Sequence, residues 1–198
     1  MNTKGNKTTD KILDSTIELI FQKGIEATSI SDIITKIGMS KGSLYFHFPD
    51  KQTLISEALS RYEKSFFEFI NMSLQGNSPG EKMETFFESV MSMHESKNYS
   101  GGCIFGNTAL EMADKNDSFS EKVKYVFNRW ISILSSIIKD AQKTGEIRSD
   151  MDSQILAGFI VSSVEGGIML SRLAKKGEPL SQTLSALKIM LCLKLKGQ

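Results

Sequence analysis

The residues best able to do chemistry crowd into one stretch. Ser40, Lys41, Ser43 and Tyr45 follow a Gly38-Met39 turn, with Gly42 among them and His47 just beyond. Hydroxyls, an ammonium and a phenol on one short helix can hydrogen-bond phosphates and base edges, and Gly42 lets the backbone come close to a partner. His47 does not read as a catalytic base, because no nucleophile or carboxylate partner shares its motif. A second chemical feature is Cys103, set behind Gly101 and Gly102 at the start of an amphipathic run. A helix N-terminus raises the thiolate fraction of a cysteine, which would let Cys103 sense electrophiles or oxidants; the other reading is a small buried residue that supports the turn. His47, His94, Cys103 and Cys192 have no metal-ligand spacing, and no phosphate loop is present. Neither an enzyme nor a metal or cofactor is expected.

These groups need elements to hold them. Only three prolines occur, and segments of helical period alternate with short breaks, so the chain is expected to be all-α. The first helix should start with Thr8 or Thr9 as N-cap, bury Leu13, Ile17, Ile20 and Phe21, and stop at Gly24. Ser29 should cap a second helix, with Asp32 completing an acidic capping box and Ile30, Ile33, Ile34 and Ile37 buried, ending at Gly38. Ser40 then caps a short third helix to about Phe46, and Asp50 caps a long fourth one through Leu54, Ile55, Leu59, Tyr62, Phe66 and Phe69. Further helices are expected from Pro79 and over about 103–115, 118–144, 152–176 and 181–196, with a linker at 76–80 and a loop at 97–102. The pair around Gly38-Met39-Ser40 has the anatomy of a helix-turn-helix. Gly38 supplies a positive φ, Met39 fills the angle, and Ser40 caps the helix whose N-terminal end enters the major groove in motifs of this class.

Composition sets looser bounds. The 198 residues are 40% apolar, enough for a real core in one large domain or two small ones. A net charge of +1 gives no global sign of nucleic-acid binding, so any DNA contact must come from local charge. Lys4 and Lys7 could form a basic arm along the minor groove or a merely solvated tail. No apolar run opens the chain, and the stretch from Ile155 to Leu173 is broken by Glu165, Gly166, Gly167 and Arg172, too polar to cross a bilayer unaided. A soluble cytoplasmic protein with reduced thiols and no membrane partner is expected.

The N-terminal motifs resemble the TetR family of regulators. The resemblance rests on Ile12-Leu13, Phe21-Gln22-Lys23-Gly24, Ala27-Thr28-Ser29-Ile30, Asp32-Ile33, and Met39-Ser40-Lys41-Gly42-Ser43-Leu44-Tyr45-Phe46-His47-Phe48 with Lys51 and Leu54. It covers about the first 60 residues of the chain. It implies about nine helices: an N-terminal three-helix helix-turn-helix domain over 1–50, a connecting helix over 51–75, and a C-terminal helical ligand-binding and dimerisation domain over 76–198. It further implies a homodimer through the last two helices, double-stranded operator DNA as partner, and a small-molecule inducer. Carried over, the pattern makes Ser29 a phosphate contact, Lys41 a phosphate or base contact, Ser43 and Tyr45 contacts to backbone or base, and His47 and Lys51 holders of phosphates beside the groove. The segment Gly102-Cys103 to Gly106-Asn107, with Glu111, resembles a branch of the family in which some members sense reactive electrophiles.

The implied function is a repressor that binds a pseudo-palindromic operator and is released by a small-molecule or electrophilic inducer. An activator and an effector-independent DNA binder are the alternatives. Met and Phe side chains in the C-terminal two-thirds suit an apolar pocket, with Phe66, Met91, Phe105, Trp130 and Phe159 favoured as its lining beside Cys103. Glu111 reads as a pocket polar group or a solvated charge, and His94 as a helix-surface or loop-adjacent residue. Gly158, Ser162 and Gly166 fall four apart, and Leu180, Leu184, Leu187 and Leu191 form an apolar seam. Both suggest a four-helix dimer interface, the other reading being an intramolecular core.

Overall fold

A computed structural model describes residues 3–193, with side chains from residue 7 onward. Nine helices run through the described residues: α1 (Thr3–Ala27), α2 (Ile30–Ile37), α3 (Lys41–His47), α4 (Lys51–Ser73), α5 (Pro79–Ser96), α6 (Ile104–Met112), α7 (Asp117–Lys143), α8 (Ser153–Ala174) and α9 (Glu178–Met190). No strand occurs among them. The all-α expectation holds, and several of the helices carry their own start chemistry. Ser29, Ser40, Ser78 and Asp152 accept hydrogen bonds from the first turns of α2, α3, α5 and α8. Asp50 does the same for α4, accepting from the Thr53 amide at 2.7 Å.

Some boundaries differ from expectation. Thr8 and Thr9 lie inside α1 and do not cap it; the Thr9 hydroxyl is instead hydrogen-bonded to His47 Nδ1 at 3.2 Å. The break at Gly24 is real, with φ 84° and ψ 175°, but Ile25 to Ala27 form a further turn beyond it. The last helix starts earlier than Ser181 and ends at Met190, and the expected stretch to Lys196 runs into residues 194–198, outside those described. The Lys4 side chain of the expected basic arm is likewise outside the description, whereas Lys7 is exposed.

The chain packs as two compact units. The first takes residues up to Phe66 and adds Ile104–Val123; the second takes Phe67–Cys103 and everything from Lys124. The first unit thus takes in α6 and the start of α7. In that unit Ile12, Leu13, Leu19, Ile33, Ile37, Leu44, Phe48, Leu54 and Ala58 form one buried cluster, against which Ile17, Ile30, Ile34 and Met39 pack. An aromatic chain continues it: Phe21 meets Tyr62 edge-on at 5.1 Å, and Phe105 lies 5.6 Å from Tyr62 and 5.4 Å from Phe66.

The second unit is built on α5, most of α7, α8 and α9. Phe86, Phe87, Trp130, Leu134, Ile138, Ile160 and Val164 are buried in it. Glu146 ties the start of α5 down, accepting from Ser78 Oγ and the Gly80 amide at 2.6 Å each. α8 packs on α9 at Gly167, where an added Cβ would come within 3.0–3.1 Å of Thr183 and Leu180. Leu180, Leu184, Leu187 and Leu191 are buried within the chain itself, so the leucine seam is intramolecular core. Among the described residues α8 alone is long and apolar enough, by length and composition, to be weighed as a membrane span, and a single such helix is insufficient for one. In the fold it is the helix that holds α9.

Candidate DNA interface and effector region

The helix-turn-helix is assembled from local rules. Ser29 and Asp32 form a reciprocal capping box: the Asp32 amide donates to Ser29 Oγ at 3.1 Å, and the Ser29 amide donates to Asp32 Oδ2 at 2.7 Å. Lys23 pairs with the same carboxylate at 2.6 Å. That hydrogen bond from Lys23, reinforced by those from Ser29, holds the Asp32 carboxyl well below its usual range. α2 ends where Gly38 turns left-handed at φ 69°, and its amide closes on Ile34 O at 3.0 Å. Ser40 then restarts the chain as α3, accepting from the Ser43 amide at 3.2 Å.

α3 has one anchored side and one open side. Leu44 is 1% exposed and Phe48 caps its end from the core, whereas Ser40, Lys41, Gly42 and Ser43 are all exposed. Tyr45 is 40% exposed, with the Lys41 ammonium 5.8 Å from its ring centroid. An added Cβ on Gly42 would meet nothing within 4 Å, so no contact inside the protein calls for glycine there. Phe46 is 87% exposed, an apolar ring at the surface that sequence reasoning passed over. Ser29 is exposed but its hydroxyl already serves Asp32 at 2.5 Å. His47 is half-buried against Thr9, and Lys51 Nζ donates to the Glu26 carbonyl at 3.3 Å. The structure therefore exposes six of the eight expected contact residues around α3 and the start of α2, with His47 and Lys51, the latter at the start of α4, half-buried.

Glu111 is neither a pocket group nor a solvated charge. Its Oε2 accepts from the Ile25 amide at 2.8 Å and from the Glu26 amide at 3.2 Å. It acts as a cap for the turn that restarts after Gly24, donated by α6. Lys115, just past α6, adds a 2.8 Å ion pair to Glu26. The turn thus feeds directly into α2, since Thr28 Oγ1 donates back to Gly24 O at 2.6 Å.

The expected ligand-lining residues do not gather in one spot. Phe66 and Phe105 meet edge-on inside the first unit, and Met91 and Trp130 belong to the second. Phe159 is 41% exposed on α8, because its side of the helix points away from the buried stripe that carries Leu156, Ile160 and Val164. Met91 lines an open groove of about 280 Å³ with Phe87, Leu184 and Lys188. Cys103 immediately precedes α6 and is half-buried. Its thiol is hydrogen-bonded to the carboxyl of Glu165, a partner 62 positions along the chain that no local pattern points to. Burial raises the Glu165 carboxyl to a pKa of about 7, and the bond from Cys103 only partly offsets this. His94 was expected near the surface but is 3% exposed; burial, helped by the charge of Lys97, lowers its imidazole to about 4.

Comparison with known proteins agrees with this geometry. Residues 12–58 match the model of bacterial regulatory proteins of the tetR family, and residues 79–187, more than half the chain, match the tetracyclin repressor-like C-terminal domain. The HTH-type transcriptional repressor DhaR of Mycobacterium sp. (strain GP1) is 24% identical, covering 88% of this chain and 87% of its own length. The HTH-type transcriptional regulator LmrA of Bacillus subtilis (strain 168) is 27% identical over 86% of this chain and 89% of its own. A crystal structure of a TetR transcriptional regulator from Chloroflexus aurantiacus J-10-FL superposes with a TM-score of 0.88 at 28% identity, covering 96% of each chain. A capped helix held outward by a buried leucine, in a nine-helix fold matched along nearly its whole length, identifies the chain as a member of the TetR family of transcription regulators, DNA-binding proteins and not enzymes.

Proposed function

We propose that this regulator is a repressor that grips a short pseudo-palindromic operator as a two-fold dimer and lets go when a small molecule binds its second unit. The observation that carries the reading is the exposed first turn of α3, with Leu44 and Phe48 anchoring it from behind. Ser40, Lys41, Gly42, Ser43 and Tyr45 would enter the major groove, while Ser29, His47 and Lys51 would hold phosphates on either side. His47 would have to share its imidazole with Thr9, so its role is to fix α3 against α1 as well as to touch DNA.

Dimerisation would use the outer faces of α8 and α9, since the leucine seam is already spent inside the chain. Ile155, Phe159, Leu170 and Leu173 on α8 and Ile189 and Met190 on α9 are exposed apolar side chains. Gly158 and Gly166 have nothing within 4 Å of an added Cβ, which leaves a smooth backbone for a close helix crossing. A two-fold pair would set two recognition helices about 34–36 Å apart, one turn of DNA.

Release is read as the work of a small molecule in the unit containing residues 76–103 and 124–193, acting through α6. The thiol of Cys103 is engaged with an acidic group, which favours reversible binding over covalent capture by this cysteine. Coupling of about 1–3 kcal/mol between effector and DNA would change operator affinity by roughly 5- to 150-fold. The protein would work in the cytoplasm, where operator DNA is. Sedimentation combined with protection mapping on the DNA flanking its own gene tests the reading. A dimer protecting one short palindrome, and released without dissociating, is the expected result. Protection spread evenly along DNA, or release only through monomers, would overturn it.

A further inference from the structure

The strip of α3 directly opposite its buried leucine carries no hydrogen-bonding side chain. Leu44 points into the core, and Gly42 and Phe46 each stand two residues from it, which puts them together on the other side of a helix that turns once in about 3.6 residues. Gly42 has open space where a Cβ would be, and Phe46, one turn on, is 87% exposed. The Phe46 ring meets the His47 imidazole edge-on at 5.6 Å, and His47 is in turn hydrogen-bonded to Thr9. A single apolar side chain in water is ordinary on a protein surface. This one shares a seven-residue helix with the exposed Lys41, Ser43 and Tyr45, so it continues the surface that meets DNA.

The chemistry of the ring selects what it can touch there. A phenyl group has no N–H or O–H for a phosphate oxygen, and its negative face turns an anion away. Against the edges of guanine, cytosine or adenine it would strip water from donors and acceptors and give no hydrogen bond in return. The major groove offers one apolar group, the C5 methyl of thymine. Gly42 clears the approach, because no side chain on that strip stands ahead of the ring to hold the helix off the bases.

We infer that Phe46 is a specificity-determining residue that packs against a thymine methyl in each half of the operator. This rests on the reading that a two-fold dimer sets α3 in the major groove, and it adds a base contact made without a hydrogen bond. The contact is apolar on both sides, so it takes the ring and the methyl out of water and releases no counterion.

The test uses the full-length protein and its protected palindrome prepared twice, once with thymine and once with uracil, which pairs in the same way and lacks the methyl. Each contacted methyl should be worth about fourfold in affinity, hence about 15-fold for one in each half-site. The preference for thymine over uracil DNA should therefore fall by about 15-fold in Phe46→Ala, whatever other thymines contribute to the wild type. Phe46→Leu, which keeps an apolar group in place, should retain most of that preference. The dependence of affinity on salt should be the same in Phe46→Ala as in wild type, because no phosphate contact is lost. Three results would overturn the contact: a thymine preference unchanged in Phe46→Ala, which would mean that the ring touches sugar or nothing; a shallower salt dependence, which would mean that it acts by positioning phosphate contacts; and a lower melting temperature, which would place the ring in the fold. A wild type that protects no confined site would end the operator reading and this contact with it, whereas a wild type that does so beside an indifferent Phe46→Ala would end the contact alone.

Discussion

Helices α3 and α6 are both short and both begin behind a small side chain; they differ in how far away their partners are. Ser40 caps α3 through the Ser43 amide, three residues on, and the hydrophobic anchors Leu44 and Phe48 sit in the same motif. α6 is held at its far end by Glu111, whose partners Ile25 and Glu26 lie 86 and 85 residues back, and at its head Cys103 meets Glu165, far along the chain on α8. The first helix is a locally written surface device. The second is a connector whose meaning exists only in the folded molecule. On the proposed reading, DNA contact belongs to α3.

The sharpest way to probe the connector's head is by pH, because its two buried groups pull in opposite directions. Glu165 has an ordinary value of 4.5 and is raised to about 7 in the fold, so its stabilising share is complete below pH 4.5 and is lost as pH climbs through 7. His94 falls from 6.5 to about 4, so its share is complete above pH 6.5 and is lost as pH drops through 4. Between about pH 4.5 and 6.5 the two slopes oppose each other. Chemical denaturation of single variants over that range should separate them: Glu165→Gln loses stability with acid more steeply than wild type, and His94→Gln loses it with rising pH. Each difference should reach about 2–3 kcal/mol across its window, at 1.36 kcal/mol per pKa unit. Parallel profiles for all three proteins would remove the idea that burial shifts these two groups in opposite directions.

The connector's far end is tested at Gly24. Its φ of 84° is one that L side chains rarely adopt, and an added Cβ would fall 2.1 Å from Glu111 Oε1. The carboxylate could swing aside, but the Ile25 and Glu26 amides would then lose their acceptor. Gly24→Ala should cost about 2 kcal/mol, combining the backbone strain with a lost cap. Glu111→Gln, which keeps an acceptor oxygen, should cost less than half of that. A melting shift in Gly24→Ala no larger than in Glu111→Gln would break the link between α6 and the start of the helix-turn-helix.

The same distinction explains what could be read from the sequence. The capping box at Ser29 and Asp32, the left-handed Gly38 and the Ser40 cap are rules acting over a few residues, and each was visible as a pattern. The apolar stripe of α9 was equally visible, but periodicity reports that a face is covered without saying by which chain. Leu180, Leu184, Leu187 and Leu191 turned out to be covered by their own subunit. Thr9 looked like a cap because nothing in its neighbourhood reveals His47, 38 residues on. His94 and Glu165 are ordinary surface types by composition, and only the packing of distant helices takes them out of water. Phe66, Phe105 and Phe159 were grouped as one lining from their residue type, which carries no information about direction.

The central claim is that α3 presents its first turn to DNA, and the direct measurement is operator affinity of the Lys41→Ala, Tyr45→Ala double variant beside its melting temperature and oligomeric state. Both side chains are at the surface, so stability and assembly should match wild type, while binding to the protected palindrome should weaken by roughly 10- to 100-fold at constant salt. Undiminished operator binding by a folded double variant would contradict the account.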